Sequence, residues 1–127
     1  MDADRLLRIS VFAALSDAEL SRLAAFATEE SFPVGARLIR EGDFSTELYA
    51  IEEGTADIVR GGETIDVIKP GDIVGEIGVL GKTTRNADVV VSSPMLAIKV
   101  SHWEIRRLSA DTRQRLTELV DARRSTD

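Results

Sequence analysis

The stretch PGDIVGEIGVLGKTTRNA, which runs from Pro70 to Ala87, is the most informative part of this chain. It opens with a Pro-Gly-Asp turn that ends a predicted strand, and it continues through Gly75 into the apolar residues from Ile77 to Leu80. Because glycine lacks a Cβ atom, its backbone can lie close to a ligand. A helical turn starting at Ile77 would direct free N–H groups and the positive end of its dipole towards the same space. The pattern therefore predicts a turn, a short helix and a backbone that faces a ligand.

Two charged residues in this stretch, Glu76 and Arg85, indicate which functional groups that ligand carries. An arginine presents a planar fork of donors that matches a phosphate group. A carboxylate beside a phosphate is unfavourable unless the ligand also offers hydroxyl donors. The pair therefore predicts a ligand that combines a sugar with a phosphate. The alternative is a surface arginine in a loop and a carboxylate favoured by a helix dipole.

These residues resemble the phosphate-binding cassette of the cyclic nucleotide-binding domain family. The positions that fall on the family pattern, with its spacing, are Gly75, Glu76, Ile77, Leu80 and Arg85. The resemblance runs from about Leu15 to the end of the chain. Further family-like positions occur in family order at Gly35, Leu38, Glu41-Gly42-Asp43, Tyr49, Gly54, Val59 and Pro70-Gly71-Asp72.

The resemblance implies a role for each matching cassette residue. Arg85 would pair with the exocyclic phosphate oxygens of a 3′,5′-cyclic nucleotide, and Glu76 would accept a hydrogen bond from the ribose 2′-hydroxyl. Gly75, Ile77 and Gly78 would offer backbone amides near the phosphate and the ribose. The ligand-binding residues are therefore expected to lie within one short segment between two strands.

Four residues depart from the family pattern, and one of them, Val74, replaces an aromatic residue with a mild change in packing. Thr84 replaces a proline, which makes the loop before Arg85 less rigid. Asn86 stands where the family has Ala, Ser or Thr, and a Thr there is associated with a contact to guanine, so we expect cAMP to be favoured over cGMP. Asp88 would repel a phosphate if its side chain faced the ligand. These departures support the alternative of a degenerate domain that binds no nucleotide and serves as a docking or oligomerisation module.

The resemblance also implies that the C-terminal helices move when the ligand binds. Leu80 and Ile105 are the predicted relay, although ordinary core packing would explain them equally well. Leu116, Leu119 and Val120 are predicted to form an apolar lid over the base. Their alternative is packing on the barrel or on a second copy of the chain, so a homodimer is an open expectation.

Periodicity and turn residues predict an α+β fold. Residues 1–28 are predicted to form N-terminal helices, one of them opened by a capping box from Ser16 to Glu19. Residues 101–127 are predicted to form a hinge helix, opened by a second capping box from Ser101 to Glu104, and a lid helix that starts at Asp111. The intervening residues, 29–100, contain short strands separated by glycine-containing turns, at Glu29–Val34, Arg37–Arg40, Glu47–Glu53, Thr55–Arg60, Glu63–Ile68, Ala87–Ser92 and Met95–Val100.

An eighth strand is expected if the residues before the short cassette helix pair. The predicted fold is then an eight-stranded antiparallel β-roll, or jelly-roll barrel, with its cassette at residues 70–87. Two C-terminal helices follow it. The chain of 127 residues is expected to be a single domain.

Composition excludes several classes of partner. The formal net charge of −6 argues against a general nucleic-acid binder, which usually has a basic face. No apolar run approaches the roughly 20 residues needed to span a bilayer. The N-terminus lacks the long apolar region of a signal peptide. We therefore expect a cytoplasmic protein without nucleic-acid or membrane partners.

The chain has one histidine, His102, and no cysteine. A jelly-roll enzyme of the cupin class would need several histidine and carboxylate ligands inside the barrel. A serine nucleophile would need a histidine base, and His102 follows the last predicted strand. We therefore predict no catalytic residue, no metal and no cofactor. No helix-turn-helix pattern follows the roll, so we expect a binding module that regulates an unidentified protein effector.

Overall fold

Helices lie near both ends of the chain, and strands fill its middle. The computed structural model describes residues 1–40, 47–75 and 87–125, with side chains described up to residue 122. The helices are α1 (Ala3–Leu6), a 3₁₀ helix (Ser10–Ala14), α2 (Asp17–Phe26), α3 (His102–Arg106) and α4 (Ala110–Ser125). The strands are β1 (Thr28–Phe32), β2 (Arg37–Ile39), β3 (Glu47–Glu53), β4 (Ala56–Arg60), β5 (Glu63–Ile68), β6 (Ile73–Val74), β7 (Asp88–Val91) and β8 (Met95–Ser101).

The eight strands in the described part of the chain form two antiparallel sheets of four. Their orders are β1-β8-β3-β6 and β2-β7-β4-β5. The predicted eight-stranded roll is confirmed, because Ile73 and Val74 pair with Ala50 and Tyr49 as the short strand β6. β3 and β5 have the predicted bounds, and the other predicted strands differ from the observed ones by one or two residues at an end.

The first sheet separates two apolar cores. Along β3, Leu48 and Ala50 pack with the helices, whereas Tyr49 and Ile51 face the interior between the two sheets. This alternation is the two-residue period expected of a strand with both faces covered. Leu23 of α2 belongs to the same helical core as Leu48. The helices therefore cover the outer face of the first sheet and leave the roll interior to strand residues.

The helix starts agree only partly with the predicted ones. Ser16 and Glu19 form the predicted capping box, with both reciprocal hydrogen bonds at 3.2 Å. Ser101 caps α3 by accepting the Trp103 N–H, so the predicted reciprocal box at α3 is wrong. The lid helix begins at Ala110, earlier than predicted, because the Ser109 hydroxyl accepts the backbone N–H of a residue in its first turn.

Arg5 attaches α1 to the outer face of β3. Its Nε lies 3.1 and 3.0 Å from the two carboxylate oxygens of Glu52. Its Nη2 also contacts the carboxylates of Glu52 and Glu29. The hydrogen bonds to Glu52, and then the one to Glu29, raise the pKa of the Arg5 guanidinium above its ordinary value. The Glu52 side chain is only 7% exposed, so Arg5 neutralises a largely buried charge.

Candidate ligand-binding site

Six of the predicted site and relay residues lie outside the described residues: Glu76, Ile77, Gly78, Leu80, Arg85 and Asn86. The two ends of their segment are described. Gly75 directly follows β6 in the first sheet, and Ala87 directly precedes β7 in the second. Val74 and Ala87 both belong to the apolar interior of the roll. The chain therefore enters the undescribed segment from one sheet and leaves it into the other, and both ends are packed in the roll interior.

The Pro-Gly-Asp turn before β6 is held against β3. The Gly71 N–H donates to the Ile51 carbonyl at 2.7 Å, and the Ile51 N–H donates to the Asp72 carbonyl at 2.9 Å. The buried Asp72 carboxylate accepts the Lys69 N–H at 2.8 Å. Aspartate side chains commonly close turns through nearby backbone groups. The sequence predicts only a turn at Asp72, whereas in the structure its side chain fixes the approach of the chain to the cassette.

Gly75 has a backbone conformation and a location that only glycine fits without strain. Its φ is +143°, a value that residues with a side chain rarely adopt. A Cβ atom at this position would lie 3.0 Å from both the Glu47 carbonyl oxygen and the Leu48 Cα. Close packing against the start of β3 is thus sufficient to require glycine here. Whether the Gly75 amide also contacts a ligand stays a prediction.

Asp88 is directed away from the roll interior. Its neighbours along β7, Val89 and Val91, are buried in that interior, and strand alternation puts Asp88 on the opposite face. Asp88 Oδ2 lies 3.3 Å from Nη1 of Arg37 on β2. Asp88 therefore lies on the wrong face of β7 to repel a phosphate bound inside the roll.

The interior of the roll is lined mainly by aliphatic side chains. Tyr49 stands among them, with its ring edge against Phe32 at a centroid distance of 5.7 Å. Burial, together with the charges of Glu30 and Glu47, raises the pKa of Tyr49 to about 12. Its hydroxyl is therefore protonated at neutral pH and can donate a hydrogen bond. Among the described residues, the interior thus offers apolar surface and a phenol, with the carboxylates of Glu30 and Glu47 near enough to act on that phenol.

The predicted lid residues do not lie together over the roll. Leu116 and Val120 are buried in the helical core, where α4 packs on the 3₁₀ helix. Leu119 lies on another side of α4 and is 41% exposed. The predicted relay residue Ile105 is buried in the same helical core. In this structure the predicted lid surface is therefore covered by N-terminal helices, and not by the barrel or a second copy of the chain.

Neither a metal site nor a membrane-spanning helix is found in residues 1–40, 47–75 and 87–125. No group of three or more His, Cys, Asp or Glu side chains there could hold a metal ion. No helix there is both long enough and apolar enough to cross a bilayer.

The sequence model of one protein family, described as the cyclic nucleotide-binding domain, matches residues 29–112. This range is about two thirds of the chain and contains both sheets except the first residue of β1. A curated relative, the cAMP-dependent protein kinase regulatory subunit of Eremothecium gossypii, is 29% identical over 106 residues. That match covers 83% of this chain and 23% of the relative. The chain therefore spans about a quarter of this relative's length.

Solved structures share the fold. A cyclic nucleotide-binding protein from Geobacter metallireducens superposes with a TM-score of 0.81 at 24% identity, covering 96% of this chain and 94% of that one. The regulatory subunit of a cAMP-independent protein kinase A from Trypanosoma brucei has a TM-score of 0.73 at 28% identity. That likeness covers 96% of this chain and 43% of the other.

Proposed function

The chain belongs to the cyclic nucleotide-binding domain family, and from this premise we propose that its β-roll binds a 3′,5′-cyclic nucleotide, with cAMP preferred over cGMP. The family match over residues 29–112 carries the proposal, because it includes the roll and the whole cassette sequence. The anchoring of the cassette ends by Val74 and Ala87 at the roll interior supports it. The preference for cAMP rests on Asn86, since neither Thr nor Ser follows Arg85.

The proposed binding residues are those of the cassette. Arg85 pairs with the phosphate, Glu76 accepts the ribose hydroxyl, and the amides of Gly75, Ile77 and Gly78 complete the site. These residues act by binding and orientation, and no bond of the nucleotide is broken. The role of the chain is accordingly regulatory rather than catalytic, and its output passes to a protein effector.

Nucleotide occupancy is transmitted, in this proposal, by movement of α4. Leu116 and Val120 are buried against the N-terminal helices, so they can cover the base only if α4 leaves that position. Leu80 and Ile105 relay the change between the cassette and the helices. A ligand can drive such a change only through a difference in its affinity for the two positions of α4.

Isothermal titration with cAMP and with cGMP tests the proposal. We expect saturable binding of cAMP to the wild-type chain and weaker binding of cGMP. Arg85→Ala should cost about 2–5 kcal/mol of binding free energy, or about thirtyfold or more in Kd, because a phosphate in a partly desolvated site loses its charge partner. Arg37→Ala is the matched control, since it removes an arginine whose partner Asp88 points away from the roll interior.

Two results would contradict the proposal in different ways. Equal affinity of Arg85→Ala and wild type would exclude the phosphate role of Arg85. No heat and no thermal stabilisation with either nucleotide would favour the second candidate, a degenerate domain that docks or oligomerises without nucleotide. The replacement of proline by Thr84 supports that second candidate. The likeness to the regulatory subunit of a protein kinase A described as cAMP-independent weakens the case for cAMP as the ligand.

A further inference from the structure

One carboxylate joins the N-terminal ends of α2 and α4. Glu19 Oε1 accepts a hydrogen bond from the Thr112 hydroxyl at 3.1 Å, and Oε2 accepts the Ser109 N–H at 3.4 Å. The Ser109 hydroxyl donates in turn to Thr112 Oγ1 at 2.8 Å, so two hydroxyls and the carboxylate form one chain of hydrogen bonds. Such chains are cooperative, because each bond polarises the next. We name these three residues the Glu19 latch.

Each helix holds its own part of the latch in place. Glu19 Oε1 also accepts the Ser16 N–H at 3.2 Å, as part of the capping box of α2. The Thr112 N–H donates to the Ser109 hydroxyl at 3.1 Å, and Thr112 is only 2% exposed. Burial opposes ionisation of Glu19, but the hydrogen bonds from Ser16, Ser109 and Thr112 outweigh it and lower the pKa of Glu19. The latch therefore contains a carboxylate that is ionised at neutral pH.

The latch lies on the side of α4 that faces the helical core. Leu116 and Val120 follow Thr112 at intervals of four residues, so all three lie on the same side of the helix. That side is buried against the N-terminal helices. A lid over a bound nucleotide would need Leu116 and Val120 to leave this core. The docked position and the lid position of α4 therefore exclude each other, and the latch stabilises the docked position.

We infer that Glu19 is a positioning residue, which holds α4 away from the ligand and thereby lowers the affinity of the chain for its nucleotide. This inference rests on the proposed function. When a conformation that binds the ligand weakly is stabilised, a smaller fraction of the protein is in the binding-competent conformation. The apparent affinity for the ligand falls by the same factor as that fraction. Breaking the latch should consequently tighten nucleotide binding, although it removes hydrogen bonds from the folded chain.

Two variants break the latch in chemically different ways. Glu19→Gln retains the capping box, for which glutamine is also suitable, but it replaces one acceptor oxygen by an amide that cannot accept a hydrogen bond. Thr112→Val removes the hydroxyl and keeps a β-branched side chain of similar shape. Thr112→Ser retains the hydroxyl and should behave as wild type. Ser16→Ala is the matched control, because it weakens the cap of α2 without removing a bond between Glu19 and α4.

The full chain and its variants are titrated with cAMP, and amide hydrogen exchange of α4 is measured without nucleotide. We expect Glu19→Gln and Thr112→Val to lower Kd about threefold to tenfold, as the loss of one or two partly exposed hydrogen bonds allows. Exchange of the α4 amides should be faster in both variants. Thr112→Ser and Ser16→Ala should retain the wild-type Kd, although Ser16→Ala should be less stable.

The outcomes separate this inference from the proposed function. If the wild-type chain binds cAMP and the two latch variants bind it equally well or more weakly, the latch has no positioning role and the inference is overturned. If affinity falls or rises equally in Ser16→Ala and Glu19→Gln, the effect belongs to α2 stability and the inference is again overturned. If the wild-type chain binds neither nucleotide, the proposed function fails and the affinity role of Glu19 fails with it.

Discussion

Replacement of Gly75 by alanine should destabilise the whole domain. The new Cβ would lie 3.0 Å from two backbone atoms of β3, and the backbone would keep a φ of +143° that alanine disfavours. Backbone atoms of a central strand cannot move aside as the tip of a flexible side chain can. We expect Gly75→Ala to lower the free energy of unfolding by about 2–4 kcal/mol, as measured by urea denaturation.

Gly61→Ala is the control for Gly75→Ala. Gly61 also has a positive φ, of +59°, but nothing lies within 4 Å of the position that its Cβ would occupy. Gly61→Ala should therefore lower the free energy of unfolding only through the left-handed backbone conformation, by about 1 kcal/mol. Equal losses of stability in the two variants would mean that contact with β3 contributes nothing, and that only the backbone conformation matters.

Asp88 shows which single-residue properties could be predicted from the sequence. Strand alternation predicts that Asp88 lies on one face of β7 and that Val89 and Val91 lie on the other, but alternation does not say which face is which. That choice depends on the packing of Val89 and Val91 into the roll. It also depends on Arg37, which lies 51 residues away in sequence and adjacent in space. Partners at such separation follow from the folded sheet and leave no local pattern.

At the scale of elements, α1 should depend on Arg5 for its attachment to β3. Arg5→Met removes the partner of Glu52, whose side chain is 7% exposed, and leaves a carboxylate buried without its neutralising charge. We expect a loss of about 2 kcal/mol in the free energy of unfolding, below the value for a fully buried pair because Arg5 itself is 26% exposed. Arg8→Met, at an exposed position three residues further along the chain, should lower the free energy of unfolding by less than about 0.5 kcal/mol.

The double variant Arg5→Met, Glu52→Leu distinguishes charge from packing. If the loss in Arg5→Met comes from the unpaired carboxylate, replacing Glu52 as well should restore most of the stability, because an apolar pair avoids the desolvation of both charges. An additive loss in the double variant, seen by the same urea denaturation, would instead assign the effect to packing of the long Arg5 side chain.

A helix start can be predicted from the sequence where its cap is formed entirely by neighbouring residues. The Ser16 capping box belongs to that class, because both of its hydrogen bonds lie within one helical turn. At α4 the sequence predicts a start at Asp111, whereas Ser109 caps the helix in the structure. The structure selects Ser109, whose N–H and hydroxyl join the hydrogen bonds of Glu19 from α2. A tertiary contact decided between local alternatives, and such a contact cannot be found from spacing alone.

For the whole molecule, the count of strands was predictable, but their arrangement was not. Alternating apolar residues and turn glycines indicate strands, and an all-β roll follows from their number and spacing. The pairing of β8 between β1 and β3 depends on contacts across most of the chain. The position of α4 against the 3₁₀ helix depends on which apolar surfaces remain uncovered after the sheets have formed. The sequence pattern alone does not choose between the roll and the helices as the surface that Leu116 and Val120 cover.

The shared helical core predicts that the domain unfolds as one unit. Residues of α2, α3, α4 and the first sheet belong to one buried cluster, so the helical layer cannot separate without exposing the sheet.

Trp103, the single tryptophan, lies on α3 and is 60% exposed. Its fluorescence should therefore report the helices, while far-ultraviolet circular dichroism also reports the strands. We expect the two urea transitions to coincide, as required of two-state unfolding. In cAMP at 100 times its Kd, both should indicate about 2.7 kcal/mol of additional stability. A fluorescence transition at lower urea than the dichroism transition would show that the helical layer opens separately, and the cluster would then not be one cooperative unit.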